Sequence, residues 1–140
     1  MKIYFACSIS GGRNDEKAYQ YLVGVLIGMG IDVPTAHIAE TGIEEVDSLV
    51  EPRDIYNRDA NWIRESDLLV AEVSTPSHGV GYEIGYALDL GKPVLCLCTK
   101  GVVVSKMITG NPHPLLTVME YQDLAHAEEI LQIFLKKYKE

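Results

Sequence analysis

The sequence has no apolar run approaching the ~20 residues that a membrane-spanning helix requires, so an integral helical membrane protein is not expected. It is short of positive charge. Twelve Lys and Arg stand against 20 Asp and Glu, for a net charge of −8. Duplex nucleic acids and anionic bilayers recruit proteins through Lys and Arg, so neither a nucleic acid polymer nor a membrane is the expected partner. A small anion held by local N–H groups is still compatible with this charge. Cysteines are few and odd in number: Cys7, Cys96 and Cys98. They lack the spacing of a disulfide framework or a zinc site. Free thiols in a reducing compartment, and hence the cytoplasm, are expected. No basic segment followed by an apolar stretch and a cleavage site opens the chain, so no signal peptide is expected. Repeats, low-complexity tracts and linkers are also missing. The 140 residues therefore suggest one domain spanning 1–140.

What is present is an alternation of short β-rich runs and helical stretches. Lys2 to Cys7 reads as a strand, followed by a Gly-rich turn from Ser8 to Arg13. Asn14 is placed to cap a helix whose apolar positions include Tyr21, Val25, Leu26 and Met29, with Gly30 ending it. A second strand is expected over Asp32 to Ile38. The acidic stretch from Thr41 to Pro52, including Glu44, Glu45 and Asp47, reads as a solvated loop with a turn of helix. Arg53 to Ser66 is helical. Leu68 to Val73 is a buried central strand interrupted only by Glu72. A loop from Ser74 to Gly81 leads into a helix that ends at Gly91. Pro93 to Cys98 is a strand, Val102 to Thr109 a short helix, Leu116 to Tyr121 a strand and Asp123 to Lys139 the last helix. Such alternation implies parallel pairing with right-handed crossovers. The expected fold is α/β: a flavodoxin-like (Rossmann-like) three-layer sandwich with a five-stranded parallel sheet, order 2-1-3-4-5.

Folds of this kind bind ligands outside the carboxyl ends of the strands, at the switch point between strands 1 and 3. That rule selects two loops, Ser8 to Arg13 and Ser74 to Gly81. Both carry serines and glycines and both enter a helix N-terminus, where free N–H groups attract anions. They read as a phosphate pocket or as plain connectors. Glu83, expected in the first turn of its helix, reads as a carboxylate kept ionised by the helix dipole, competent to attack an anomeric carbon. Ordinary first-turn capping is the other reading. Asp59 is a second acid or part of a solvated helix face. Glu72 points into the ligand crevice or pairs with a cation such as Arg13. Trp62 reads as core packing rather than base stacking. Cys96 and Cys98 share one face of their strand and read as core.

Four segments are familiar together. They are Tyr4-Phe5-Ala6-Cys7-Ser8-Ile9-Ser10-Gly11-Gly12-Arg13; Asp59-x-x-Trp62 with Ser66-Asp67; Val70 to Gly85, containing Pro76-Ser77-x-Gly79-Val80-Gly81-Tyr82-Glu83; and Gly91-Lys92-Pro93-Val94-Leu95-Cys96-Leu97. With them the chain resembles the 2'-deoxynucleoside 5'-phosphate N-hydrolase family, within the nucleoside 2-deoxyribosyltransferase group. The third segment is the long and specific one.

The resemblance implies an enzyme that hydrolyses the N-glycosidic bond of a 2'-deoxynucleoside 5'-monophosphate, giving free base and 2-deoxyribose 5-phosphate without metal or other cofactor. Glu83 matches the nucleophile that forms a covalent deoxyribosyl intermediate, and Asp59 the acid/base. Tyr4 matches a tyrosine that orients the nucleophile and crowds the sugar 2' position. Ser8, Ile9, Ser10, Gly11, Gly12, Arg13, Ser77 and Gly79 match contacts to the 5'-phosphate. His37 matches a histidine near the nucleobase. Ser105 matches a serine reaching the phosphate from a second subunit, which implies a homodimer. By analogy with retaining glycosidases the two carboxyls would lie about 5–5.5 Å apart. Three positions depart from the family pattern: Cys7 stands for glycine, Ser10 for arginine, and His78 for an apolar residue. The Ser10 departure leaves open base exchange on unphosphorylated deoxynucleosides, by a nucleoside 2-deoxyribosyltransferase. A non-catalytic nucleotide-sensing module is a further alternative on the same fold.

Overall fold

Apolar runs bounded by glycine, proline and serine build the sheet. The computed structural model describes residues 1–9 and 15–139. The strands are β1 (Ile3–Ala6), β2 (Leu68–Glu72), β3 (Val94–Thr99) and β4 (Leu116–Tyr121). All pairs are parallel, in the order β1-β2-β3-β4. Every residue of β1 and β2 is buried, as expected for strands covered on both faces. β4 is an edge and exposes Met119 and Glu120.

Among the described residues the sheet has four strands, not the expected five. Asp32 to Ile38 does not form a strand, so the order 2-1-3-4-5 is corrected. One parallel bridge joins Lys2 and Asp32. In it the Ile3 N–H donates to the Asp32 carbonyl at 2.9 Å and the Asp32 N–H to the Met1 carbonyl at 3.1 Å. Beyond it, Pro34 has no N–H with which to continue a ladder. Thr35 substitutes its side chain: Oγ1 accepts from the Phe5 N–H at 3.0 Å and donates to the Phe5 carbonyl at 2.7 Å. The chain then turns into a short 3₁₀ helix, Ala36–Ala39.

The helices are α1 (Glu16–Gly28), α2 (Ile43–Ser48), α3 (Pro52–Glu65), α4 (His78–Asp89), α5 (Lys106–Thr109) and α6 (Leu124–Lys136). The buried face of α1 is Tyr19, Leu22, Val23 and Leu26. Tyr21, expected on that face, is exposed and donates to Glu128 of α6 at 2.5 Å. Gly30 follows α1 at φ +80°, a left-handed position that suits glycine. Pro52 opens α3, where its missing N–H costs nothing. The helix expected over Val102–Thr109 shortens to α5.

Strand parity sorts the side chains into two cores. Ile3, Phe5, Leu68, Val70, Leu95 and Leu97 face α1 and α6. Tyr4, Ala6, Leu69, Ala71, Cys96 and Cys98 face α3 and α4. The result is three layers, and it sends Tyr4 and Glu72 to opposite faces of the sheet. No helix among the described residues is long and apolar enough to cross a membrane.

Candidate active site

Ser77 caps α4, its Oγ accepting from the Val80 N–H at 3.3 Å. The helix therefore starts at His78, earlier than expected, and Glu83 lies in its second turn rather than its first. The dipole acts mainly within the first turn. The expectation that it keeps Glu83 ionised is thus corrected. Glu83 takes its hydrogen bond from another layer: the Tyr4 hydroxyl, projecting from β1, donates to Oε2. Burial pushes the Glu83 carboxyl up to about 7. The Tyr4 bond and the charge of Arg58 pull it down, while the charge of Asp59 adds to the rise. Tyr4 is itself raised above the ordinary phenol range, first by burial and then by the negative charges of Glu83 and Asp59. It remains a protonated donor at every working pH.

Asp59 comes from α3. Its Oδ1 accepts from Arg58 Nε at 2.8 Å, and Arg58 Nη1 reaches Asp47 of α2 at 3.7 Å. The Arg58 guanidinium lies over the Trp62 ring, 5.2 Å from its centre. Asp59 and Glu83 line one cavity of about 370 Å³ together with Ile9, Asp47, Ser77 and Gly79. They also border a second cavity of about 690 Å³, walled by Tyr56, Tyr82 and Tyr86. The two carboxyls thus stand between a cavity at the strand tips, lined by acids and aliphatic side chains, and an aromatic one. Such an arrangement can supply a nucleophile and a proton donor to a bond held between them.

The other expected site residues divide. Ile9, Ser77 and Gly79 share the cavity with Glu83. Ser8 is fully buried at the end of β1. Ser10, Gly11, Gly12 and Arg13, with the capping residue Asn14, lie outside the described residues. His37, on the 3₁₀ helix, packs edge-on against Trp62 with centroids 5.6 Å apart and lines neither cavity. Its Nε2 is buried without a hydrogen-bond partner among the described residues. Ser105 caps α5, accepting from the Met107 N–H at 3.2 Å. It opens, with Ser77 and the exposed His78, on a third cavity of about 550 Å³ that Glu83 does not reach. Glu72 lines none of these cavities, which removes the crevice reading, and its other reading, a pair with Arg13, falls on a residue outside the described ones.

Sequence reasoning missed Asp47 and the part played by Arg58. Asp47 sits in an acidic stretch that reads as solvated, yet it is buried and faces Arg58. Only the packing of α2 beside α3 brings the two together, and no spacing in the sequence signals it. Trp62, read as core packing, does pack against the core, and it also carries Arg58 and His37.

An acid pair beside a helix N-terminus on a Rossmann-like sheet defines a class of glycosyl-bond enzymes, and the comparisons place the chain within it. Residues 3–121 match the nucleoside 2-deoxyribosyltransferase family, and the chain belongs to that family. A 5-hydroxymethyl-dUMP N-hydrolase of Mus musculus is 40% identical over 142 residues, covering 99% of this chain and 79% of the mouse protein. A Methanosarcina mazei protein provisionally named 2'-deoxynucleoside 5'-phosphate N-hydrolase 1 is 40% identical over 134 residues, covering 96% of this chain and 83% of its own. Among solved structures, the CMP N-glycosidase of Clostridium botulinum superposes with a TM-score of 0.73 at 20% identity. That match covers 96% of this chain and 99% of the other, and it attests the shared fold.

Proposed function

We propose that this chain is an N-glycosidase that hydrolyses 2'-deoxynucleoside 5'-monophosphates to free base and 2-deoxyribose 5-phosphate. One observation carries the reading: Glu83, held by Tyr4, and Asp59 meet on a single cavity beside the N-terminus of α4. The names of the relatives support the same reaction.

Glu83 is the nucleophile. Its Oε attacks C1' as the C1'–N bond breaks, and Asp59 gives its proton to the departing base. Water then attacks C1', the C1'–Oε bond breaks, and the water's proton returns to Asp59. Tyr4 orients the attacking carboxylate. Ser77, Gly79 and the free N–H groups at the start of α4 receive the 5'-phosphate, where the helix dipole favours an anion. Ile9 borders the same group just after β1.

The chain acts as one domain and as a homodimer. Val103 and Met107 are 90% and 84% exposed around Ser105. A second copy covering this apolar surface would bring Ser105 towards its partner's phosphate. The free, buried cysteines suit a cytoplasmic enzyme.

The test is base release from dGMP, dCMP and their unphosphorylated nucleosides, with and without a second free base, followed by chromatography. Release from the monophosphates alone is expected. Base exchange on unphosphorylated nucleosides would replace hydrolysis by transfer. Tight nucleotide binding without turnover, unchanged by Glu83→Gln, would replace it by sensing. Sedimentation velocity reads the dimer, and Ser105→Ala should raise KM for the monophosphate.

A further inference from the structure

The Arg58 guanidinium is built into the site without touching the cavity. It lines neither chamber beside Glu83. Yet it is held on three sides: by Asp59 Oδ1 at 2.8 Å, by Asp47 at 3.7 Å, and by the face of Trp62 four residues on. Residues i and i+1 of a helix do not ordinarily face each other, so the Arg58–Asp59 contact bends a neighbour's side chain to a particular place. The remaining nitrogen, Nη2, is buried with no acceptor among the described residues. A buried donor left without an acceptor destabilises the fold, and replacing the pair with apolar residues would avoid that cost. The arrangement is explained if the charge serves the site.

Charge around the site is one-sided. Glu83 comes from α4, Asp59 from α3 and Asp47 and Glu44 from α2. The facing groups from the other elements are the Tyr4 hydroxyl of β1 and the His37 ring against Trp62, while the Cys7 side chain packs into the core against α1 and α6. Among the described residues, Arg58 is the one fixed cation in this set.

We propose that Arg58 is a positioning residue for the acid/base carboxyl. It clamps Asp59 by Oδ1, leaves Oδ2 towards the cavity to carry the proton passed to the base, and sets a positive charge beside the Glu83 carboxylate. The proposal rests on the functional reading above. Its consequence concerns Glu83 as well, because the Arg58 charge lowers the Glu83 carboxyl.

The experiment compares wild type, Arg58→Gln and Arg58→Lys in base release from dCMP across pH 5 to 9. Arg58→Gln should lower kcat roughly 10- to 100-fold with little change in KM, as a displaced catalytic group does. Its acidic limb in kcat/KM should move up by about one pH unit, because the opposite charge is gone. Arg58→Lys should restore the limb and recover only part of kcat, since a lysine keeps the charge but not the planar contacts. A fall in melting temperature with an unmoved limb, or a Lys variant no better than Gln, overturns the proposal. The Glu83 titration followed by carboxyl ¹³C NMR, in wild type and both variants, is read without turnover. If wild type releases no base, the reading of function fails by itself. The midpoint still decides the clamp: higher in Gln and restored in Lys upholds it, and unmoved in Gln rejects it.

Discussion

Among the described residues, two glutamate–tyrosine pairs of the same chemistry stand on opposite faces of one sheet, one fully buried and one half-buried beside the cavities. Glu83 accepts from Tyr4, and Glu72 accepts from Tyr121. Burial pushes both carboxyls upward. They differ in what else surrounds them. Glu72 also takes the Ser74 N–H at 2.7 Å and the Ser74 hydroxyl at 2.9 Å, and Ser74 Oγ accepts from the Thr99 N–H at 2.9 Å. It opens on none of the three cavities around α4 and instead ties the end of β2 to β3 and β4. Among the described residues Glu83 has the tyrosine alone, and two cavities lie before it. A carboxylate saturated with donors stabilises a loop. One with a single orienting donor and an open side keeps lone pairs for a substrate.

The largest expected effect separates the pairs by turnover. Glu83→Gln should reduce base release by at least about 10³-fold, as loss of a nucleophile does. Glu72→Gln should keep kcat within about 10-fold while lowering the melting temperature by roughly 4–10 °C, the equivalent of losing buried charged hydrogen bonds. If Glu72→Gln abolished turnover in a protein of unchanged melting temperature, the two pairs would not be distinct in kind.

Next come the tyrosines. Tyr4→Phe should lower kcat about 10- to 100-fold, through a misoriented and less ionised Glu83. Tyr121→Phe should leave kcat within about 3-fold and cost about 1–3 kcal/mol of stability in urea unfolding. Equal kinetic losses would mean that both hydroxyls support the site.

A smaller effect concerns pH. The Glu83 carboxyl lies near 7 in the folded chain against an ordinary 4.5. Between these values the unfolded chain releases the proton first. The stability linked to this group is therefore full below about 4.5 and is lost as pH rises towards 7. Glu83→Gln removes that loss. Its melting temperature should exceed that of wild type by about 2–6 °C at pH 8 and match it at pH 4.5. An equal offset at both pH values would tie the gain to packing. The same carboxyl places the acidic limb of wild-type kcat/KM close to 7, which a pH–rate profile reads directly.

Much of this was legible in the residues. Long apolar strands and Gly-rich connections pointed to a parallel α/β sheet, and the segment from Val70 to Gly85 pointed to the family. The exceptions have local physical causes. The strand expected at Asp32–Ile38 was stopped by Pro34 and by a threonine that bonds Phe5 through its side chain. Glu83 moved from the first helical turn to the second because Ser77, not a later residue, caps α4. Asp47 read as solvated because its cation is eleven positions away in another helix.

The sequence by itself determined the type of every strand that formed, the pairing of neighbours in parallel, and the residue types available for glycosidic chemistry. Those follow from periodicity, composition and local backbone constraints, which act over a few residues. Tertiary structure decided which glutamate opens on a cavity. Strand parity put Tyr4 on the α4 face and Glu72 on the other. Packing of α2, α3 and α4 then gathered Asp47, Arg58, Asp59 and Glu83 from distant positions. A carboxyl's solvation and its partners depend on that gathering, so its reactivity is a property of the fold and not of the segment that carries it.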